Sequence, residues 1–103
     1  MYFNSSNQYK LEKAMGRYLV VVTIENKKEV GDPEGETIKK DLIFRSGYSN
    51  IESVRSAKCY YIVIKTKSEI NAKKDVTKIC EELRIYNPIV SNCSIGPVTK
   101  LNK

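Results

Sequence analysis

Few residues in this chain could do covalent chemistry. It contains no histidine, which excludes Ser-His and Cys-His nucleophile pairs. Cys59, Cys80 and Cys93 are far apart and odd in number, and none forms a C-x-x-C pair. Zinc ligation and a disulfide framework are therefore not expected, and the three read as small apolar residues in or near a core. Neither a G-x-x-x-x-G-K-[ST] loop nor a G-x-G-x-x-G turn occurs, so no phosphate cradle is encoded. The carboxylates fall at helix starts and surface positions, where capping and solubility account for them. No catalytic, cofactor-binding or metal residue is expected.

The sharpest local signal is Asp32-Pro33-Glu34-Gly35. Aspartate is a preferred N-cap, and proline suits the first helical position because its missing N–H has no partner there anyway. Glu34 and Glu36 complement the helix dipole. Gly35 is harder to explain, since glycine in a first turn weakens a helix by about 0.5–1 kcal/mol relative to alanine. It implies that something packs against that turn, or that the free N–H groups receive an anion or a partner's carbonyl.

These residues need a scaffold. Arg17 to Glu25 (RYLVVVTIE) is β-prone and apolar on both faces, which predicts a central strand covered on both sides. A helix follows from Asp32-Pro33, with Ile38 and Leu42 on its buried stripe and Gly47 as a left-handed stop. Ile51 to Arg55 reads as a short strand with an imperfect period, and Ser56-Ala57-Lys58 as a turn. Cys59 to Thr66 (CYYIVIKT) is a second strong strand. Ser68 caps a helix running to about Ile85, whose apolar face holds Ala72, Val76, Ile79, Cys80 and Leu83. Asn87-Pro88 breaks that helix, and Ile89 to Val98 forms a last strand interrupted by Gly96-Pro97.

The order βαββαβ predicts an α+β fold: a two-layer sandwich of ferredoxin-like type, with an antiparallel sheet and two helices on one face. Residues 1–16 are polar and aperiodic and read as a flexible N-terminal arm; 17–103 form one domain. At 103 residues the core is modest. Helices on one face leave the other to solvent, so apolar residues such as Leu19, Val21 and Val63 point to self-association.

The composition, 41% hydrophobic and 29% charged with a formal charge of +6, is that of a soluble domain. No apolar run has membrane-spanning length and no signal peptide is visible, so a cytoplasmic location is expected. The scattered lysines read mainly as solvated faces. Two other readings remain open. A nucleic-acid module would stack bases on Tyr18, Tyr60 and Tyr61, although the glycines of the RNA-recognition signature are absent. A regulatory domain of this architecture would bind a small metabolite between two copies.

Val30-Gly31-Asp32-Pro33-Glu34-Gly35-Glu36-Thr37-Ile38 resembles the V-x-D-P-x-G-x-x-[VI] stretch of the PurS family. The resemblance continues in order through Gly47-Tyr48, Val54-Arg55-Ser56-Ala57-Lys58, Ile79-Cys80-Glu81-Glu82-Leu83 and Asn87-Pro88-Ile89-Val90. Ala57 stands where that family often has glycine. The resemblance implies the small, non-catalytic subunit of phosphoribosylformylglycinamidine synthase in purine biosynthesis. That enzyme converts formylglycinamide ribonucleotide, glutamine and ATP to formylglycinamidine ribonucleotide. The implied partners are a glutaminase subunit and a large synthetase subunit, with ATP and magnesium held by the latter and no cofactor in this chain. A homodimer or tetramer, a role in assembly and a part in ammonia transfer are also implied. By position, Asp32, Pro33, Gly35, Arg55, Lys58, Asn87 and Pro88 match the family motifs and become the candidate partner-binding residues. Arg55 is the one suited to a bidentate carboxylate contact across an interface.

Overall fold

The computed structural model describes residues 15–102; most of the expected N-terminal arm lies outside them. Three strands form one antiparallel sheet in the order β2-β1-β3: β1 (Gly16–Asn26), β2 (Lys58–Thr66) and β3 (Ser91–Leu101). Helix α1 (Pro33–Thr37) lies between β1 and β2, and helix α2 (Glu69–Glu82) between β2 and β3. The α+β, ferredoxin-like architecture with an antiparallel sheet is the one expected, and β1 is indeed central. In β2-α2-β3 the chain crosses over β1, the split βαβ arrangement of such folds.

The core follows from the two periodicities. Tyr18, Val20 and Val22, two apart on β1, point to one face, and Ala72, Val76 and Cys80, four apart on α2, point back at them. Val20, Val22, Ala72 and Val76 are fully buried. Ile62 and Ile64 of β2 and Cys93, Ile95 and Val98 of β3 close the sides. Each fully buried aliphatic side chain contributes about 1.5–3 kcal/mol. The register of β1 with β3 shifts between Val20 and Val22, opposite the Gly96-Pro97 stretch, where proline offers no N–H to the ladder.

Ser68 caps α2 as expected, its hydroxyl accepting from the Asn71 N–H at 3.1 Å. The end of α2 differs from expectation. Arg84 adopts a left-handed conformation (φ 51°), and the Ile85 N–H reaches back to the Cys80 carbonyl at 3.1 Å. This Schellman-type closure stops the helix at Glu82, ahead of Asn87-Pro88.

Two other expectations fail locally. The helix beginning at Pro33 widens into a π-helical stretch over Ile38–Ile43 and tightens into a 3₁₀ turn over Phe44–Ser46, ending at left-handed Gly47 (φ 93°). The supposed buried stripe is not buried: Leu42 is 61% exposed, and among the described residues none of 33–46 belongs to the core cluster. The core-forming helix is α2, whereas α1 packs against the Val54 segment. Ile51 to Arg55 forms no strand. It runs instead alongside α1, with the Val54 carbonyl against Gly35, and delivers Ser56 to partners at that helix's cap.

Candidate functional site

Those partners define the candidate site. Asp32 caps α1, its Oδ1 accepting from the Gly35 N–H at 3.4 Å. The same carboxylate reaches 24 residues along the chain: the Ser56 N–H donates to Oδ2 at 2.5 Å and the Ser56 hydroxyl to Oδ1 at 2.7 Å. Gly35 is buried, and a β-carbon there would collide with the Val54 carbonyl oxygen and lie 2.7 Å from Asp32 Oδ2. The packing that Gly35 implied is thus with the chain's own Val54 segment. Pro33 occupies the first turn, as its fixed φ favours.

A second set of bonds ties this corner to the end of β1. Arg55 Nη2 donates to the main-chain carbonyls of Asn26 at 2.5 Å and Lys27 at 3.4 Å, and Asn26 Nδ2 donates to the Gly31 carbonyl at 3.0 Å. The Arg55 guanidinium therefore already holds the 26–31 turn from within the chain, using one of its nitrogens. Asp32 is kept below the ordinary carboxylate range, chiefly by the Ser56 hydroxyl and then the Ser56 N–H, with burial opposing and the Arg55 charge assisting. With its lone pairs engaged, Asp32 is a structural anion and not a poised proton acceptor.

Lys58 opens β2 opposite Ile24. Together with Glu34, Ser56, Tyr60 and Asn87 it lines a cleft of about 390 Å³. Asp32 and Arg55 line a neighbouring one of about 760 Å³ with Glu36 and Lys39, and Glu25 and Asn26 border both. Asn87 organises the turn after α2: its side chain accepts from the Ile89 N–H at 3.0 Å and its carbonyl from the Ser91 N–H at 2.9 Å. Pro88 lies apart, beside Cys80, Glu81, Arg84 and Tyr86. Six of the seven sequence-derived residues thus gather at one end of the sheet.

Ser56 and Asn26 were missed as site residues. Each side chain bonds across a sequence gap that local pattern does not reveal, although Ser56 stands within a stretch already singled out. No group of three or more His, Cys, Asp or Glu side chains suited to a metal occurs among the described residues, and no helix among them is long and apolar enough to cross a membrane. Burial pushes the Cys80 and Cys93 thiols upward. The three tyrosines do not form a stacking platform. Tyr18 is 6% exposed beneath α2, and Tyr60 and Tyr61, being consecutive on a strand, point to opposite faces.

Residues 19–98 match the family model for PurS, phosphoribosylformylglycinamidine (FGAM) synthase. Over 78 residues the chain is 33% identical to the phosphoribosylformylglycinamidine synthase subunit PurS of Methanocaldococcus jannaschii, covering 76% of this chain and 92% of that relative. The chain belongs to the PurS family. The PurS subunit of Archaeoglobus fulgidus is 35% identical over 74 residues, covering 72% and 90% of the two chains. The crystal structure of the M. jannaschii PurS superposes with a TM-score of 0.70 over 82% of this chain and 99% of that one. A chain in the structure of PurLQS from Thermotoga maritima superposes at 0.68 with 25% identity, over 84% of this chain and 100% of that one. PurS membership thus spans both the sheet and the Asp32–Ser56 corner.

Proposed function

We propose that this PurS-family chain is the small, non-catalytic subunit of phosphoribosylformylglycinamidine synthase, and that it acts by holding the glutaminase and the large synthetase subunits in a working complex. The observation that carries the reading is the family match over residues 19–98, joined to the likeness to a chain of PurLQS. The corner around Asp32 supports it, because its polar side chains are spent on fixing loops and not on a reaction. In this reading ATP and magnesium sit in the large subunit, the glutaminase releases ammonia, and this chain helps the ammonia reach the synthetase site. The complex works in the cytoplasm.

The chain also associates with copies of itself in this reading, as a dimer or tetramer. The face of the sheet away from α2 carries Tyr61 at 69% exposure and Val63 at 50%, beside Leu19 and Val21 of β1. An apolar patch of that kind is what a subunit interface buries.

The test is reconstitution. Purified glutaminase and synthetase subunits from the same source are mixed with glutamine, ATP and formylglycinamide ribonucleotide, with and without this chain. Glutamine-dependent turnover that requires the chain, alongside ammonia-dependent turnover that does not, supports the assembly role. Equal glutamine-dependent turnover without it overturns that role.

A further inference from the structure

The end of the sheet remote from the Asp32 corner carries a different surface. There β1 begins, β2 ends and β3 ends: Arg17 pairs with Lys65 on one side and Leu101 on the other, and Tyr18 with Lys100. Lys67 follows β2, and Lys73 and Lys74 stand in the first turns of α2. Against these six cations the same segments supply Glu69 and Asp75. The ion pair found among the described residues is Lys40 with Glu36, in the segment between β1 and β2, so among those residues the cations at this end take part in no ion pair.

Between α2 and β3 at this end lies an open groove of about 500 Å³, lined by Ile70, Pro97, Val98 and Gly96 with two lysines, Lys73 and Lys74, against one carboxylate, Glu69. Ile70 is 79% exposed. A helix that needed only to cover the sheet would carry a polar residue at such a position. A large aliphatic side chain held in water beside Pro97 and Val98, and flanked by two lysines, matches the centre and rim of a protein contact: an apolar anchor with charges around it.

We infer that this groove docks an acidic segment of one of the larger subunits, with an apolar side chain of that segment seated against Ile70, Pro97 and Val98 and its carboxylates facing Lys73 and Lys74. The inference rests on the assembly reading above and names the surface through which it works. Other occupants fit the groove less well. The groove lining contains no aromatic ring, so it offers no stacking surface for the bases of a single-stranded nucleic acid. Its β3 wall carries proline, which has no N–H with which to recruit an added strand, so side chains must supply the recognition. A second copy of the chain would bring the same cluster of cations against this one, and like charges oppose that contact.

The experiment measures binding of the full chain to the purified glutaminase and synthetase subunits by titration calorimetry at low and at high ionic strength, for the wild type, K73E/K74E and I70S. All three substituted positions are exposed, and circular dichroism and light scattering verify the fold and the oligomeric state of each variant. The expected result is that K73E/K74E weakens association by about tenfold or more at low salt and flattens its salt dependence, because rim charges act through screened attraction. I70S is expected to weaken association at both ionic strengths, because its contribution is apolar. Unchanged affinity and salt dependence in K73E/K74E, while the wild type binds, overturns the inference and leaves the assembly reading intact. Failure of the wild type to bind either subunit overturns both. A variant that changes the oligomeric state of the isolated chain overturns it in favour of an interface between copies. Binding of a single-stranded RNA oligonucleotide that K73E/K74E abolishes, with subunit affinity unaffected, overturns it in favour of nucleic acid.

Discussion

Replacing Gly35 with alanine sets two opposing effects against each other at one atom. Alanine in a helix is favoured over glycine by about 0.5–1 kcal/mol, so local propensity alone says that G35A stabilises. The surroundings say otherwise. The added carbon would lie 3.0 Å from the Val54 carbonyl carbon and 2.7 Å from Asp32 Oδ2, and closer still to the Val54 oxygen. These are main-chain atoms and an anchored carboxylate, not the ends of flexible side chains, so relief requires the 54–56 segment to move. That movement pulls Ser56 away from Asp32. Overpacking of this kind costs about 1–3 kcal/mol, which exceeds the propensity gain over most of its range, and the expected net effect is destabilisation of about 1–2 kcal/mol. The melting temperature should fall by roughly 4–8 °C per kcal/mol. The Ser56 amide, which donates to the carboxylate, should exchange its hydrogen faster. G31A is the control, since a β-carbon at Gly31 meets nothing within 4 Å. A G35A protein with stability at or above wild type and an unchanged Ser56 exchange rate would refute the reasoning.

Three further outcomes follow from the same geometry. Because Asp32 is depressed in the folded state, its contribution is complete above the ordinary carboxylate value of 3.8 and is lost as pH falls through the lower folded value; urea midpoints between about pH 2 and 6 should therefore fall less steeply with acid in D32N than in wild type. Placing a charge on the open sheet face with V63E should shift the chain toward monomer by about tenfold or more in sedimentation equilibrium without unfolding it, since Val63 is already half exposed. Alkylation at mildly alkaline pH should label exposed Cys59 fastest in the native protein, half-buried Cys93 more slowly, and Cys80 only on denaturation, because burial shields Cys80 and raises both of the latter thiols; labelling of all three at one rate would contradict the placement of Cys80 in the core.

What the sequence revealed and what it hid divide along the range of the interactions. β1, β2 and the Ala72, Val76 and Cys80 stripe of α2 were legible because burial writes a period of 2 or 3.6 into neighbouring residues, whereas Ile79 and Leu83, read onto the same face, are exposed; Ser68, Asp32 and Gly47 were legible because caps act within a turn. Leu42 misled because helical spacing shows that a stripe exists, not that a sheet face receives it. Ile51 to Arg55 misled because β-branched residues also suit an extended segment outside a sheet, here the one that leads into Ser56 and its bonds to Asp32. The stop at Glu82 came from Arg84, a residue type with no preference for the left-handed region, so Asn87-Pro88 drew the boundary too late. At the candidate site, Asp32, Gly35 and Arg55 stood out in the sequence, whereas Ser56 did not, because its two bonds to Asp32 depend on a chain path that no local pattern encodes.

The strand order has a consequence for how the chain reaches its native state. β1 is the middle of the sheet, yet one of its neighbours, β3, is the last of the three strands to leave the ribosome: Asn26 waits for Ser91 and Arg17 for Leu101. Until then β1 can pair only with β2, and one full edge of the most apolar strand stays unsatisfied. Closing so long a loop costs little extra entropy, about 0.6 kcal/mol for each doubling of its length, but it delays the contact. The nascent protein thus passes through a two-stranded stage with an open, sticky edge. Chains shortened from within β3 would be held at that stage and would be expected to aggregate, whatever their content of correctly formed helix.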